Sequence, residues 1–497
     1  MNKRTIGAVA AALLVGSLIA VPAAAKSSCA NNSKGGEWSN FGSDLWNTRS
    51  QPGEKKIDAA AAPHLEPAWT FSITDNGGDG TFQSTPAVID GCVYVGTSTG
   101  WVFALNAKTG GLVWKNKAGG GSLSNGIFGL AVTRGKVLAN VSSPKGPFAV
   151  GIDQESGKEL WKTPVLDKQE GAWTNASAKV YGDLLFFGMS GPEGIEDYQG
   201  KFAIIDLDTG DVLRITKVID DKDHKKGYGG GGVWSTAAVD PASGFAYVGS
   251  SNPYGTKEHR LTNAILKIDL NRNSKSFGEI VDSYKGDVDQ YYPAGAVLAD
   301  SPVCTAKVLP VTIDRPECGQ IDLDFGASPT LFRNSEGKLV VAALQKSGVV
   351  HAAYADTMEK AWSTIVGAPC ALCNVSSTAW DGKNTIFAAG SPGSTMFGLD
   401  ADTGAYKWAA PIGDGTHYEP VSYANGVVYT VDTTGRLDTF DAELGVPVFS
   451  RPMSADVGDA CSALSGGVAI ANNHVYASCD LGVNGGGWLI AYGYDDE

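Results

Sequence analysis

No sustained helical periodicity runs through this chain, and after its opening residues no run of about 18 apolar residues recurs. The first absence excludes a helical bundle, and the second excludes a protein with several membrane spans. Positive charge is scarce: 39 Lys and Arg stand against 53 Asp and Glu, a formal net charge of -14. An acidic surface repels nucleic acid and anionic membrane, so neither is an expected partner. Gly229 to Gly232 precede neither a Lys-Ser/Thr pair nor a helical pattern, which excludes a phosphate loop. Four glycines before Trp234 predict instead a backbone pressed against something flat. Gly96-Thr97-Ser98-Thr99-Gly100 has the spelling of a hydrolase nucleophile elbow, but it joins two strand patterns rather than a strand and a helix. Cys370 and Cys373 lack a second ligand pair for zinc, and Asn374 stands where haem attachment needs His, so a local disulfide is expected.

What is present begins with an export signal. Lys3 and Arg4 precede an apolar Ile6–Val21, and Ala23-Ala24-Ala25 offers a small-residue cleavage site before Lys26. Residues 1–25 therefore read as a secretory signal, and loss of Lys3 and Arg4 takes the charge to -16. Eight cysteines fit the oxidising compartment this implies. Cys304/Cys318 and Cys461/Cys479 are natural local pairs, though spacing alone does not set connectivity. The chain is expected to be periplasmic or extracellular.

A two-part repeat fills the rest. The first part is a hairpin, as in PAVIDGCVYVG (86–96), SAKVYGDLLFFG (177–188) and PVSYANGVVYTV (420–431). Asp90-Gly91 and Asn425-Gly426 are strong turn pairs, because both turn positions need positive φ. The second part is a strand, an acidic turn with Gly, and a strand ending in an aromatic, as in ALNAKTGGLVW (104–114) and MFGLDADTGAYKW (396–408). Asp and Thr side chains bond the turn amides, and Gly takes the left-handed position. Each two-part unit makes a four-stranded blade, and the spacing of roughly 40–55 residues suits a propeller. Seven copies are complete. The eighth ends at 489–497 without its last strand, and EPAWTFSI (66–73) supplies one. The fold class is thus all-β: an eight-bladed β-propeller closed by its N-terminal strand, which leaves no free sheet edge. Residues 26–65 form an N-terminal extension and 66–497 the propeller. Trp114, Trp161, Trp362 and Trp408 are expected to pack between blades rather than on a ligand.

Polar residues at one set of loops suggest a site. Glu193, Asn252 and Asp324 lie in loop positions of blades three to five, which can converge at one mouth of the ring. Hard oxygen ligands of this kind suit calcium.

Several stretches resemble the quinoprotein alcohol dehydrogenases, eight-bladed enzymes that bind pyrroloquinoline quinone (PQQ) with calcium, and most closely their polyvinyl-alcohol dehydrogenase branch. They are Trp38, Phe41, Gly42 and Asp44 with Asn47-Thr48-Arg49; GGGGVWSTAAVDPASGFAYVGSSNP (229–253); DLDFGASP (322–329); and QKSGVV (345–350). The resemblance covers essentially the whole chain after the signal. It implies that Trp234 floors the quinone and that Glu193, Asn252 and Asp324 hold calcium. It implies Asp324 as general base and Lys346 on the quinone oxygens, with Ser190 and Asn175 or Thr174 reaching the cofactor carboxylates. An alcohol, secondary or polymeric, would be the substrate, and a separate carrier such as a cytochrome c would take the electrons. The chain departs from many relatives in having no adjacent Cys-Cys pair and no haem motif. Gly326, where an acidic residue would favour a lanthanide, favours calcium, and Glu196 competes with Glu193 as the ligand.

Two other readings stand beside this one. A propeller that keeps the repeat without the chemistry would be a scaffold or binding module. A hydrolase using Asp322 and Asp324 would place its carboxyls too close together for the usual glycosidase geometry.

Overall fold

The computed structural model describes the chain apart from residues 1–27, 30–33, 119–126, 193–194, 255–256, 288–322, 370–372, 392–393, 414–415, 463–465, 482–485 and 495–497. The export signal, Glu193, Cys304, Cys318, Asp322 and Cys370 lie outside the described residues.

Eight antiparallel sheets form the ring. The innermost strands are Ala87–Ile89, Ile127–Thr133, Lys179–Tyr181, Ala238–Asp240, Thr330–Arg333, Ala379–Trp380, Ser422–Ala424 and Ala469–Ala471, in blades one to eight. Blade eight is completed by Glu66–Ser72, which pairs antiparallel with Gly487–Gly493 from Glu66↔Gly493 to Ser72↔Trp488. That is the closing strand the repeat count requires. The hairpin turns adopt the left-handed geometry their residues predict: φ is 52° at Asp90, 74° at Gly91, 45° at Asn425 and 83° at Gly426. The described helices are two single turns, Asp221–His224 and Ser454–Val457, and a 3-10 turn at Ala62–His64.

The tryptophans of the outer strands join neighbouring blades. The indole N–H groups of Trp69, Trp114, Trp161, Trp362 and Trp408 donate to the carbonyls of Ala107, Gln154, Leu207, Ala401 and Ala442, each at 3.0 Å and each on the next blade. Every indole also lies against the left-handed turn glycine of that blade. A Cβ at Gly210 would come within 2.7 Å of the Trp161 ring. The turn glycine therefore serves both backbone conformation and blade spacing.

Residues 36–51 run inside the ring and bond to the blades in order. Asn472 N donates to Gly36 O (blade eight), Trp38 N to Val88 O (one), Val132 N to Ser39 O (two), Val239 N to Leu45 O (four), Leu331 N to Trp46 O (five), Trp380 N to Thr48 O (six) and Tyr423 N to Arg49 O (seven), all between 2.7 and 3.1 Å. Blade three joins through Lys179, whose buried ammonium donates to Asn40 Oδ1, Asp44 O and Asn47 Oδ1 at 2.9, 2.7 and 2.6 Å. Ser50–Gln51 then adds a short parallel strand to blade seven. This segment closes one end of the central channel.

Cys29–Cys92 and Cys461–Cys479 are disulfides. The first ties the N-terminal extension to blade one, a pairing that spacing did not suggest; the second is the expected local pair. Cys373 is also in disulfide form. No described helix is long and apolar enough to cross a membrane.

Candidate functional site

Short segments just before the innermost strands of blades one and three to seven line a cavity of about 280 Å³. Two layers are visible. Gln83, Asn175, Trp234, Gly326, Val375 and Tyr418 form the upper layer; Ser177, Thr236, Ser328, Ser377 and Pro420, two residues further on, form the lower. The lower layer is a hydroxyl belt. Ser177 N donates to Thr236 Oγ1 (2.9 Å), Thr236 N to Ser328 Oγ (2.8 Å) and Ser328 N to Ser377 Oγ (2.8 Å), blade to blade. Phe41 of the internal segment forms the base.

Three of the predicted residues meet beside the cavity, of which Trp234 lines it. Asp324, in irregular chain before blade five, accepts the Trp234 indole N–H at Oδ2 (3.0 Å) and lies 2.8 Å from the Lys346 ammonium at Oδ1. Lys346 leaves the second strand of blade five, and its Nζ is 5.2 Å from the Trp234 ring centre. The ion pair is nearly dry, with side chains 6% and 3% exposed. The close approach depends on Gly326, since a Cβ there would fall 2.2 Å from the indole.

The remaining predicted residues divide. Asn252 is 1% exposed and its side-chain oxygen has no hydrogen-bond partner among the described residues. Asn175 lines the cavity, and its Oδ1 is likewise unpartnered. Thr174 does not enter the cavity: its hydroxyl donates to Gly188 O at 2.7 Å. Ser190 is fully buried with an unpartnered Oγ, packed where a Cβ at Gly232 would be 2.0 Å away. Glu196 is exposed in a turn. Among the described residues no cluster of three or more His, Cys, Asp or Glu is arranged to hold a metal.

One expectation is corrected. Gly229 and Gly230 press on the backbones of the blade-three and blade-four loops, and Gly231 and Gly232 on the side chains of Val218 and Ser190, rather than on a flat group. A Cβ at Gly229 would strike Glu196 O at 2.0 Å, and one at Gly230 would strike Asn252 O at 2.3 Å. Gly230 N bonds Tyr198 O, and Gly231 N bonds Asn252 O. The glycines let Trp234 emerge between two loops. Similarly, Ser98 is fully buried in the turn between Cys92–Gly96 and Trp101–Asn106, so it is no nucleophile.

Sequence reasoning missed Gln83, Tyr418 and the hydroxyl belt. The available signal was the Ser or Thr that recurs just before the hairpins of blades three to six. It also missed two acids behind the wall. Glu419 and Asp480 are fully buried, and desolvation holds both well above the usual carboxylate range. Asp480 accepts Phe82 N at 2.9 Å, beside Gln83.

The PQQ_2 family model, described as outer membrane protein assembly factor BamB, matches residues 39–273 and 325–478. Over 405 residues the chain is 27% identical to a polyvinylalcohol dehydrogenase of a Pseudomonas species, covering 76% of this chain and 59% of that protein. A polyvinylalcohol dehydrogenase of Sphingopyxis is 25% identical, with 82% and 66% covered. The chain thus spans less than two thirds of the length of these relatives. The crystal structure of the quinohemoprotein alcohol dehydrogenase of Comamonas testosteroni superposes with a TM-score of 0.68 at 15% identity, covering 94% of this chain and 82% of that one, a likeness of fold.

Proposed function

The chain belongs to the PQQ_2 family, and from that premise we propose that it is an exported quinoprotein dehydrogenase that oxidises an alcohol with PQQ and calcium. The observation that carries the reading is the buried contact of Asp324 and Lys346 with Trp234, which lines the cavity. The similarity to two polyvinylalcohol dehydrogenases supports an alcohol substrate, secondary or polymeric. The disulfides support an oxidising compartment.

The residues suit the cofactor. The Trp234 indole offers a flat face. Asn175 Oδ1 and Asn252 Oδ1 are acceptors without partners among the described residues, as expected where ligands complete the bonding. Asn252 and Asp324, with Glu193, would hold calcium. When bound, PQQ supplies the quinone carbon that takes hydride, with calcium polarising its carbonyl. Asp324 would take the alcohol proton on a carboxylate oxygen. Lys346 holds that carboxylate as its ion-pair partner and would reach the quinone oxygens from the same position. With no haem-attachment motif in the chain, electrons would leave to a separate carrier such as a cytochrome c.

The description of the matched family favours a second reading, an assembly scaffold. A scaffold has no need of a dry Lys346–Asp324 pair against an indole. Reconstitution with PQQ and calcium decides between them, with dye reduction measured on primary alcohols, secondary alcohols and polyvinyl alcohol. Binding of PQQ in the micromolar range and activity lost in Asp324→Ala, with the fold intact, is the expected result. No binding in that range removes the proposal.

A further inference from the structure

Arg49 is fully buried, and every acceptor of its guanidinium is neutral. Nε donates to Val421 O (2.7 Å), Nη2 to Ser422 Oγ (2.9 Å) and Val468 O (3.0 Å), and Nη1 to Phe41 O and weakly to Thr85 Oγ1. No carboxylate pairs with it among the described residues. Burial draws it down only to about 9, so it carries its charge at neutral pH. A buried charge without a counter-charge is costly, and folds keep one where something else balances it.

The position of Arg49 says where that balance lies. Arg49 bonds the lining residue Phe41 and two residues, Val421 and Thr85, that lie within two positions of the lining. Phe41, whose ring centre is 5.0 Å from the guanidinium carbon, forms the cavity base. Val421 follows the lining residue Pro420, and Thr85 lies two residues after Gln83. Of the buried acids around the cavity none bonds Arg49: desolvation holds Glu419 and Asp480 well above the usual carboxylate range, and Asp324 is already paired with Lys346.

We propose that Arg49 is an electrostatic anchor beneath the cavity, which selects a planar ligand carrying several carboxylates and draws it down onto Phe41. The inference rests on the PQQ reading and adds a positioning residue that never touches the cofactor. At an effective dielectric of about 20, a buried unit charge about 12 Å from a carboxylate corresponds to about a tenfold change in affinity.

The test is equilibrium titration of the full chain with PQQ, followed by quenching of tryptophan fluorescence. R49M is expected to weaken binding about tenfold. R49K, which keeps the charge, and S422A, which removes one bond but not the charge, are each expected to stay within about threefold. Should R49M not fold, R49Q is compared with R49K in its place. An unchanged affinity in the uncharged variant, or equal losses in R49K and R49M, overturns the inference by making Arg49 a packing residue only. A wild-type chain that fails to bind PQQ, yet binds benzenetricarboxylate in an Arg49-dependent way, removes the cofactor reading and leaves the anion cavity standing. Binding neither removes both.

Discussion

Lys346→Met is the sharpest perturbation of the proposed site, because its cost follows from burial alone. Lys346 and Asp324 are 2.8 Å apart with side chains 6% and 3% exposed. At that depth solvent cannot replace the ammonium. Removing one member of a buried pair leaves the other charge desolvated, at a cost of about 3–5 kcal/mol. Removing both charges leaves nothing to compensate, so K346M/D324N is expected to recover most of that loss. The coupling energy between the two sites should then be about 2 kcal/mol or more, well above the roughly 0.2–1 kcal/mol of an exposed pair. Urea denaturation of the wild type, both single variants and the double variant at pH 7 measures it. Single-variant losses under about 1 kcal/mol that simply add would refute the argument, since they would mean that water reaches the pair and that the wall is not dry.

Other consequences concern the ring and its buried acids. Trp161→Phe takes the indole N–H from Leu207 O, a buried carbonyl, and should cost about 1–3 kcal/mol by thermal or urea melts. Gly210→Ala should cost at least about 1 kcal/mol in the same assay, because φ is 75° there and the new Cβ meets the Trp161 ring. The two changes should be less than additive, since both open the same contact. Asp480 is raised by desolvation, so the folded state holds a proton that the unfolded chain releases near pH 4. Its contribution is whole below that pH and is lost as pH rises, at up to about 1.4 kcal/mol per unit. Asp480→Asn keeps an acceptor for Phe82 N and should flatten the decline in stability between pH 5 and 8. A wild-type and D480N pair with parallel pH profiles would show that Asp480 is ionised in the fold.

How much of this was legible depends on whether a feature repeats. Asp90-Gly91 and Asn425-Gly426 announce hairpins because a left-handed pair is written into each turn, and the copies confirm one another. Trp114 and Trp161 could be assigned between blades for the same reason: a ligand contact has no cause to recur every blade, whereas an inter-blade contact must. The segment 36–51 obeys no such rule. It makes backbone bonds to seven blades, at Gly36, Trp38, Ser39, Leu45, Trp46, Thr48 and Arg49, and side-chain bonds to the other, so its neighbours change at irregular intervals and no periodicity can appear. Trp38 and Arg49, both fully buried, therefore look in the sequence like part of a loose extension. The cavity falls between these cases. Its walls come from the repeat, since six of the blades contribute the residues just before their innermost strands, but its chemistry comes from where copies differ: Trp234 in blade four, Gly326 in blade five, Tyr418 in blade seven. Repetition thus locates the cavity, and departures from it mark the side chains that can act there. Arg49 is the extreme departure, a buried charge from outside the repeat, bonded to residues of blades one, seven and eight next to the cavity lining.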